Sequence, residues 1–118
     1  MAISRDYRDL IAWKKAFELA LAIYEETTHF PNEERFGLKS QIRKACISIP
    51  SNIAEGEGRR SKREFRHFLF FALGSLMEVE TQILISDALG YFNPNRATHL
   101  LEMTAEVGRL LNGLSKSL

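Results

Sequence analysis

The densest group of basic side chains lies in residues 56–66, GEGRRSKREFR. Five cations fall beside a predicted helix start, where free backbone amides and the helix dipole also attract an anion. Such a cluster fits the phosphate groups of RNA or DNA, and backbone contacts of that kind carry no base information. The alternative is a solvated turn whose nearby glutamates weaken the positive field. With two cations from the preceding segment added, the candidate nucleic-acid-binding residues are Arg43, Lys44, Arg59, Arg60, Lys62, Arg63 and Arg66.

Two Glu-x-x-His pairs have the spacing that carboxylate-bridged metal sites of helix bundles use. They are Glu26 with His29 and Glu64 with His67. The first pair ends one predicted helix and the second begins another. An antiparallel bundle places them at opposite ends, roughly 30 Å apart for helices of about 20 residues. We therefore expect polar residues at wet helix ends, with no metal site and no cofactor.

Nucleophilic catalysis lacks the residues that it needs. Ser48, Ser51 and Cys46 have no histidine at a spacing that would activate them. The segment 56–61, GEGRRS, lacks both the preceding strand and the lysine of a phosphate-binding loop. We expect Cys46 to be a small packed residue and the protein not to be an enzyme.

The elements that position these residues are four segments with the three-to-four spacing of amphipathic helices. They pack most economically as an up-down-up-down four-helix bundle, an all-α fold. Pro50 lies inside the second segment and predicts a kink, with the helix continuing because its apolar stripe stays in phase. The predicted core stripes are Leu10, Trp13, Phe17, Ala20 and Tyr24; Leu38, Ile42, Ala45, Ile49 and Ile53; Phe65, Phe68, Leu69, Ala72, Leu76, Val79 and Ile83; and Leu100, Leu101, Thr104, Val107, Leu111 and Leu114.

Glycines, prolines and capping residues predict the helix boundaries. We expect Gly56 to close the second helix in a left-handed conformation. Ser61 and Glu64 have the spacing of a capping box at the start of the third helix. Gly90 is the predicted stop of that helix, and residues 93–94, Asn-Pro, are the predicted cap and first turn of the fourth.

Length and composition indicate a single globular domain over residues 1–118, with 45% apolar and 26% charged residues. The formal net charge is only +1, but residues 31–67 hold nine basic side chains against five acidic ones. No stretch looks apolar over the length that a membrane span needs. The first residues are charged where a secretory signal would be apolar, and a lone cysteine excludes an internal disulfide. We therefore expect a cytoplasmic protein with no membrane partner.

Surplus apolar residues mark a second face on two of the helices. The third helix contains FLFFAL without interruption, and the first contains AFELALAIY with one charged residue. A helix that is apolar on two faces is buried on two faces, so we expect a subunit interface; the alternative is a wide bundle core. A mid-helix glycine costs about 1 kcal/mol relative to alanine, which close approach by a neighbouring helix would explain. The candidate interface residues are Leu19, Ile23, Phe70, Leu73, Gly74, Met77 and Leu84.

Several short motifs resemble those of one family. The most specific string is Ser48-Ile49-Pro50-Ser51-Asn52-Ile53-Ala54-Glu55-Gly56; the others are Asp9-Leu10, Trp13-Lys14-Lys15-Ala16, Phe30-Pro31, Gly37-Leu38 with Gln41 and Arg43, Ser61, Glu64-Phe65, Phe68-Leu69 and Gly74-Ser75 with Glu78. With these motifs the chain resembles the small four-helix bundle proteins encoded in intervening sequences of bacterial large-subunit ribosomal RNA genes, an S23-type ribosomal protein family. The likeness covers nearly the whole chain, although the fourth helix carries little of it.

The resemblance implies a cytosolic bundle that assembles as a ring of five and has no assigned catalytic activity. The family also looks like the accessory protein of diversity-generating retroelements, a basic pentamer that works with a reverse transcriptase and nucleic acid. This chain departs from that relative in being nearly neutral. Two functional hypotheses follow: a non-enzymatic homo-oligomer that binds RNA or DNA through its basic turn, or a structural ring that binds a protein partner without nucleic acid.

Overall fold

The computed structural model describes residues 6–118, which form four long helices and two short 3-10 helices. The 3-10 helices are Tyr7–Asp9 and Asn32–Glu34. The long helices are α1 Ile11–Glu26, α2 Leu38–Gly58, α3 Lys62–Ala88 and α4 Arg96–Lys116. There is no β-strand in this part of the chain, so the predicted all-α class is confirmed.

The four helices form a square in which α1 packs against α2, α2 against α3, α3 against α4, and α4 against α1. α1 and α3 each pack directly against α2 and α4, whereas the described residues of α1 and α3 face each other across the diagonal, with no Cα atoms within 8 Å. This is the predicted up-down-up-down arrangement, in a body of 52 × 25 × 20 Å. We call the end that holds the α2–α3 turn the turn end. The other, where α1 and α3 finish and α2 and α4 begin, is the loop end.

Each helix contributes one inward stripe to the core, and the predicted stripes of α2, α3 and α4 are confirmed except at Leu38 and Phe68, which are half-buried outside the core. Ile42, Ile49 and Ile53 of α2 are fully buried, as are Ile83 of α3 and Leu100 of α4. Full burial of a Leu or Ile side chain contributes about 1.5–3 kcal/mol relative to exposure. These stripes are therefore the main source of stability.

The predicted stripe of α1 was wrong except at Leu10, which is buried in the core. Its inward residues are Ala12, Ala16, Leu19 and Ile23, all of them buried. The larger aromatic residues lie beside this stripe: Phe17 and Tyr24 are exposed, and Trp13 is half-buried at the edge of the core. The two alanines allow α1 to approach its neighbours closely, which bulkier side chains at those positions would prevent. Leu19 and Ile23 thus belong to the core of one subunit, and they are not available as residues of a subunit interface.

α2 continues through Pro50, and Ile53 on the far side stays in the buried stripe, as predicted. Gly56 does not close the helix in a left-handed conformation. It is helical and buried, and the positive φ in this turn, 61°, belongs to Arg60. The glycine is needed because α3 passes very close to α2 at this point.

The boundaries of α3 agree with the sequence better than the start of α4 does. Ser61 caps α3 by accepting a hydrogen bond from the Glu64 amide at 3.3 Å, which is one half of the predicted capping box. Gly90 follows the helix with a φ of 78°, as predicted. α4 begins two residues later than predicted, because Asn95 takes a φ of 71° and serves as the N-cap in place of Asn93.

α3 also corrects the expectation that no segment is long and apolar enough to span a membrane. By length and composition alone, Lys62–Ala88 meets that criterion. The inner side of the helix packs on α2 and α4 in the bundle core. Its composition therefore reflects an apolar outer side added to an apolar inner one.

Candidate functional site

The α2–α3 turn presents its five basic side chains to solvent at the turn end of the bundle. Arg59 is the C-cap residue of α2, and Arg60 follows it in a left-handed conformation. Lys62, Arg63 and Arg66 occupy the first turns of α3. All five residues are exposed, so the structure brings together this part of the candidate nucleic-acid-binding set.

The five cations differ in how far the protein itself neutralises them. Arg59 Nη2 lies 3.7 Å from Glu55 Oε2, and its guanidinium lies 5.1 Å from the centre of the Phe68 ring. Within residues 6–118, no carboxylate lies within 4.0 Å of the other four cations. Four of the five charges at this turn are therefore open to an external anion.

The first turn of α3 also carries a competing negative charge. Glu64 is exposed at the third helical position, where a carboxylate interacts favourably with the helix dipole. Its own amide is occupied by the Ser61 hydroxyl. An anion is therefore held here by the basic side chains more than by the helix terminus.

Arg43 and Lys44 lie elsewhere, which corrects their place in the same set. Arg43 donates from Nε to Thr27 Oγ1 at 2.9 Å and from Nη2 to the Tyr24 carbonyl oxygen at 3.0 Å, so it caps the end of α1. Its guanidinium also covers the Tyr24 ring at 4.4 Å. At about 1.5 Å per residue along α2, Arg43 lies roughly 24 Å from Arg59. Lys44 is exposed near the loop end.

The two Glu-x-x-His pairs lie at opposite ends of the bundle, as predicted. Glu26 contacts Arg96 at the loop end, where α1 finishes and α4 begins. Glu64 lies in the first turn of α3 at the turn end. Among residues 6–118, no three His, Cys, Asp or Glu side chains converge as metal ligands.

The candidate nucleophiles are held in helix packing. Cys46 is fully buried, and that burial raises the pKa of its thiol to about 12. The Ser48 hydroxyl lies 2.8 Å from the Ser75 hydroxyl of α3 and accepts from Asn52 Nδ2 at 2.9 Å. Ser51 donates to the Ile47 carbonyl oxygen. The Ser48–Ser75 bond joins α2 to α3, and the other two bonds support α2 around Pro50.

The outer side of α3 remains apolar and accessible. Phe70 is 75% exposed, Met77 47% and Leu84 52%, while Leu73 is half-buried. A methyl group built on Gly74 would meet nothing within 4 Å, so no helix of the same subunit explains this glycine. We call Phe70, Leu73, Gly74, Met77 and Leu84 the outer α3 stripe.

A second apolar surface was missed by the sequence analysis, which assigned its α1 residues Trp13, Phe17 and Tyr24 to the core. It is a groove of about 390 Å³ between α1 and α2. The sequence did contain a signal for this groove. The aromatic residues lie on a different face of α1 from Ala12 and Ala16, and small residues favour close helix contact whereas large ones fill gaps. We call this surface the aromatic groove; its main residues are Trp13, Phe17, Leu21, Tyr24, Ile47 and Pro50.

Comparison with known proteins agrees with this architecture. Residues 8–113 match a family model described as 23S rRNA-intervening sequence protein. A solved structure of a protein of unknown function from the S23 ribosomal protein family of Bacteroides thetaiotaomicron VPI-5482 is similar, with a TM-score of 0.80 and 24% identity. The similarity covers 90% of this chain and 99% of that one. No curated protein matches the chain.

Proposed function

Since the chain belongs to the family of 23S rRNA-intervening sequence proteins, we propose that it is a non-enzymatic homo-oligomer that binds RNA or DNA at its basic turn. The observation that carries this proposal is the group formed by Arg60, Lys62, Arg63 and Arg66. All four are exposed at one end of the bundle, and none has a carboxylate within 4.0 Å in the described part of the chain.

The ligand would be recognised by its phosphates. Arginine and lysine neutralise backbone phosphates and release counterions, which gives affinity without base selection. The near-neutral net charge of +1 does not oppose this, because the basic residues are concentrated locally. We therefore expect binding that depends strongly on salt and weakly on sequence.

Assembly of several subunits would strengthen this binding. The outer α3 stripe supports self-association, because exposed contiguous apolar surface in a soluble protein marks an interaction site. The family resemblance implies five subunits. Identical weak sites that are held on one body reach the same polyanion together, which raises the overall affinity without any new contact.

A matched pair of double variants tests the site. Lys62→Gln with Arg63→Gln removes two charges from the turn, and Lys14→Gln with Arg109→Gln removes two exposed charges elsewhere. Binding to labelled single-stranded RNA and to duplex DNA is measured by fluorescence anisotropy over a range of salt concentrations. Light scattering verifies that both variants keep the parent mass.

We expect the turn variant alone to lose affinity, about equally for all sequences tested. Each phosphate contact contributes about 0.7–0.9 to the slope of log affinity against log salt, so its slope should flatten by about 1.4–1.8 per subunit. Equal behaviour of the two variants, or no binding by the parent at low salt, would overturn the nucleic-acid function. A ring that binds a protein partner would then become the better hypothesis.

A further inference from the structure

The aromatic groove and the outer α3 stripe lie on opposite sides of the bundle. The groove lies between α1 and α2. The stripe lies on the α4 side of α3, where Phe70 and Leu73 border a small crevice shared with Leu111 and Asn112 of α4. Because the helices form a square, the α1–α2 side is opposite the α3–α4 side. One subunit therefore carries two separate apolar surfaces that face away from each other.

The groove is already formed in the single subunit. The Trp13 ring stacks on Phe17 with ring centres 5.1 Å apart, and Tyr7 meets Trp13 edge-on at 5.4 Å. Its lining side chains carry no charge, and Leu21, at 58%, is among its exposed large residues. An uncharged, aromatic depression fits aliphatic and aromatic side chains such as those of the stripe.

Charge fixes the direction in which the two surfaces meet. At the loop end, the groove runs into a depression that Tyr24 shares with Lys39 and Lys44. At the same end of α3, Glu80 and Asp87 lie four and three residues from Leu84 and so flank it on the helix surface. Neither of these acids has a basic side chain within 4.0 Å in the described residues.

From this arrangement we propose that the outer α3 stripe of one copy docks in the aromatic groove of a second copy of this chain. The two copies lie side by side and point the same way, so that the acidic end of the stripe meets the basic end of the groove. This proposal rests on the homo-oligomeric part of the proposed function. It adds which surfaces meet and in which direction.

Two consequences distinguish such an interface from a two-fold dimer. Different surfaces meet, so every bound subunit still offers one free groove and one free stripe until a ring closes or a filament grows. Copies that point the same way also place every basic turn on one rim. The proposed polyanion sites would then lie together, which favours simultaneous binding.

Two single variants test the pairing, each with one damaged surface. Leu21→Glu puts a charge in the groove, and Met77→Glu puts one in the stripe; both side chains are exposed, so the fold should survive. We expect each variant alone to have the mass of one subunit, 13.5 kDa. Mixed together, they should form a one-to-one dimer, because each supplies the surface that the other lacks.

Light scattering after gel filtration measures these masses, and circular dichroism verifies that the helices are intact. Ile11→Glu is the matched control, since Ile11 is exposed on the α1–α4 side of the bundle and belongs to neither the groove nor the stripe. This control should keep the mass of the parent. A mixture of the two single variants that stays monomeric would overturn the proposed pairing.

The remaining outcomes separate this inference from the function on which it rests. A monomeric parent overturns both the pairing and the homo-oligomer. A parent oligomer that survives either single variant overturns the pairing alone. Flotation of the parent with phosphatidylcholine vesicles, abolished by Met77→Glu, would assign the stripe to a lipid surface and overturn the pairing too. Nucleic-acid affinity is measured separately and decides only the role of the basic turn.

Discussion

Gly56 of α2 lies directly against Phe68 of α3, and a Cβ atom at Gly56 would stand only 2.7 Å from the Cβ of Phe68. It would also stand 3.0 Å from Cδ1 of Phe65. The glycine therefore permits the close approach of α2 and α3 beside the basic turn. Its role depends on missing volume, because its backbone is ordinary helix.

Gly56→Ala should lower the free energy of unfolding by about 1–3 kcal/mol, the usual cost of inserting a methyl group into a well-packed contact. Gly58→Ala is the control, because a methyl group there would meet nothing within 4 Å. It should be neutral or stabilising by up to about 1 kcal/mol. Urea denaturation followed by circular dichroism measures both. Equal stability of the two variants would contradict the close-contact role.

The sequence predicted the inward side of α4 well because Glu102, Glu106 and Arg109 separate its inward residues. It failed for α1, where AFELALAIY is apolar almost all round and periodicity alone cannot select a face. Side-chain size was also a misleading guide to burial, since the large Trp13 and Phe17 look more like core residues than Ala12 and Ala16. The distance between neighbouring helices decides which face of α1 points to the core, and that distance is a property of the packed bundle.

The roles of Gly56 and Arg43 also depend on how the helices pack, and the sequence does not show that packing. A missing Cβ serves equally for a left-handed turn and for close helix contact, so the sequence could not distinguish these roles. The five cations of the turn were predictable because they are adjacent in sequence. Arg43 was grouped with them by charge alone, whereas its partners lie on a different helix.

Arg43→Met should destabilise the protein by about 1–3 kcal/mol. It removes the hydrogen bond to Thr27 Oγ1 and the bond to the Tyr24 carbonyl oxygen, and a hydrogen bond from a charged group typically contributes about 1.5–3 kcal/mol. Lys44→Met is the control because Lys44 is exposed, and it should change stability by less than about 0.5 kcal/mol. Chemical denaturation of both variants measures the difference. Comparable losses would show that Arg43 does not support the end of α1.

The buried thiol of Cys46 should make stability fall at high pH. Burial raises the pKa of Cys46 from its ordinary value of 9.0 to about 12. The folded state therefore keeps the proton in a pH range where the unfolded chain loses it. The contribution is fully present below pH 9 and is lost as the pH rises towards 12, at up to about 1.4 kcal/mol per pH unit.

Cys46→Ala isolates this contribution, since other groups titrate in the same range. The free energy of unfolding is measured by denaturation between pH 7 and 10.5 for the parent and the variant. The parent should lose more stability than the variant above pH 9. Parallel curves would mean that the thiol ionises as easily in the folded protein as in the unfolded one.

Trp13 provides an internal reporter of the aromatic groove, because it is the single tryptophan of the chain and is half-buried there. If a second copy covers the groove, the indole loses water on assembly and its fluorescence emission shifts to shorter wavelength. Dilution of the parent should move the emission to longer wavelength, with the same midpoint as the fall in mass.

Met77→Glu should show the long-wavelength emission at every concentration, although its own Trp13 environment is unaltered. Adding Leu21→Glu protein has a one-sided effect under the proposed pairing: its intact stripe covers the groove of the Met77→Glu subunit, so the emission of that subunit should move back to shorter wavelength. Emission that stays constant while the mass falls would show that another surface holds the copies together.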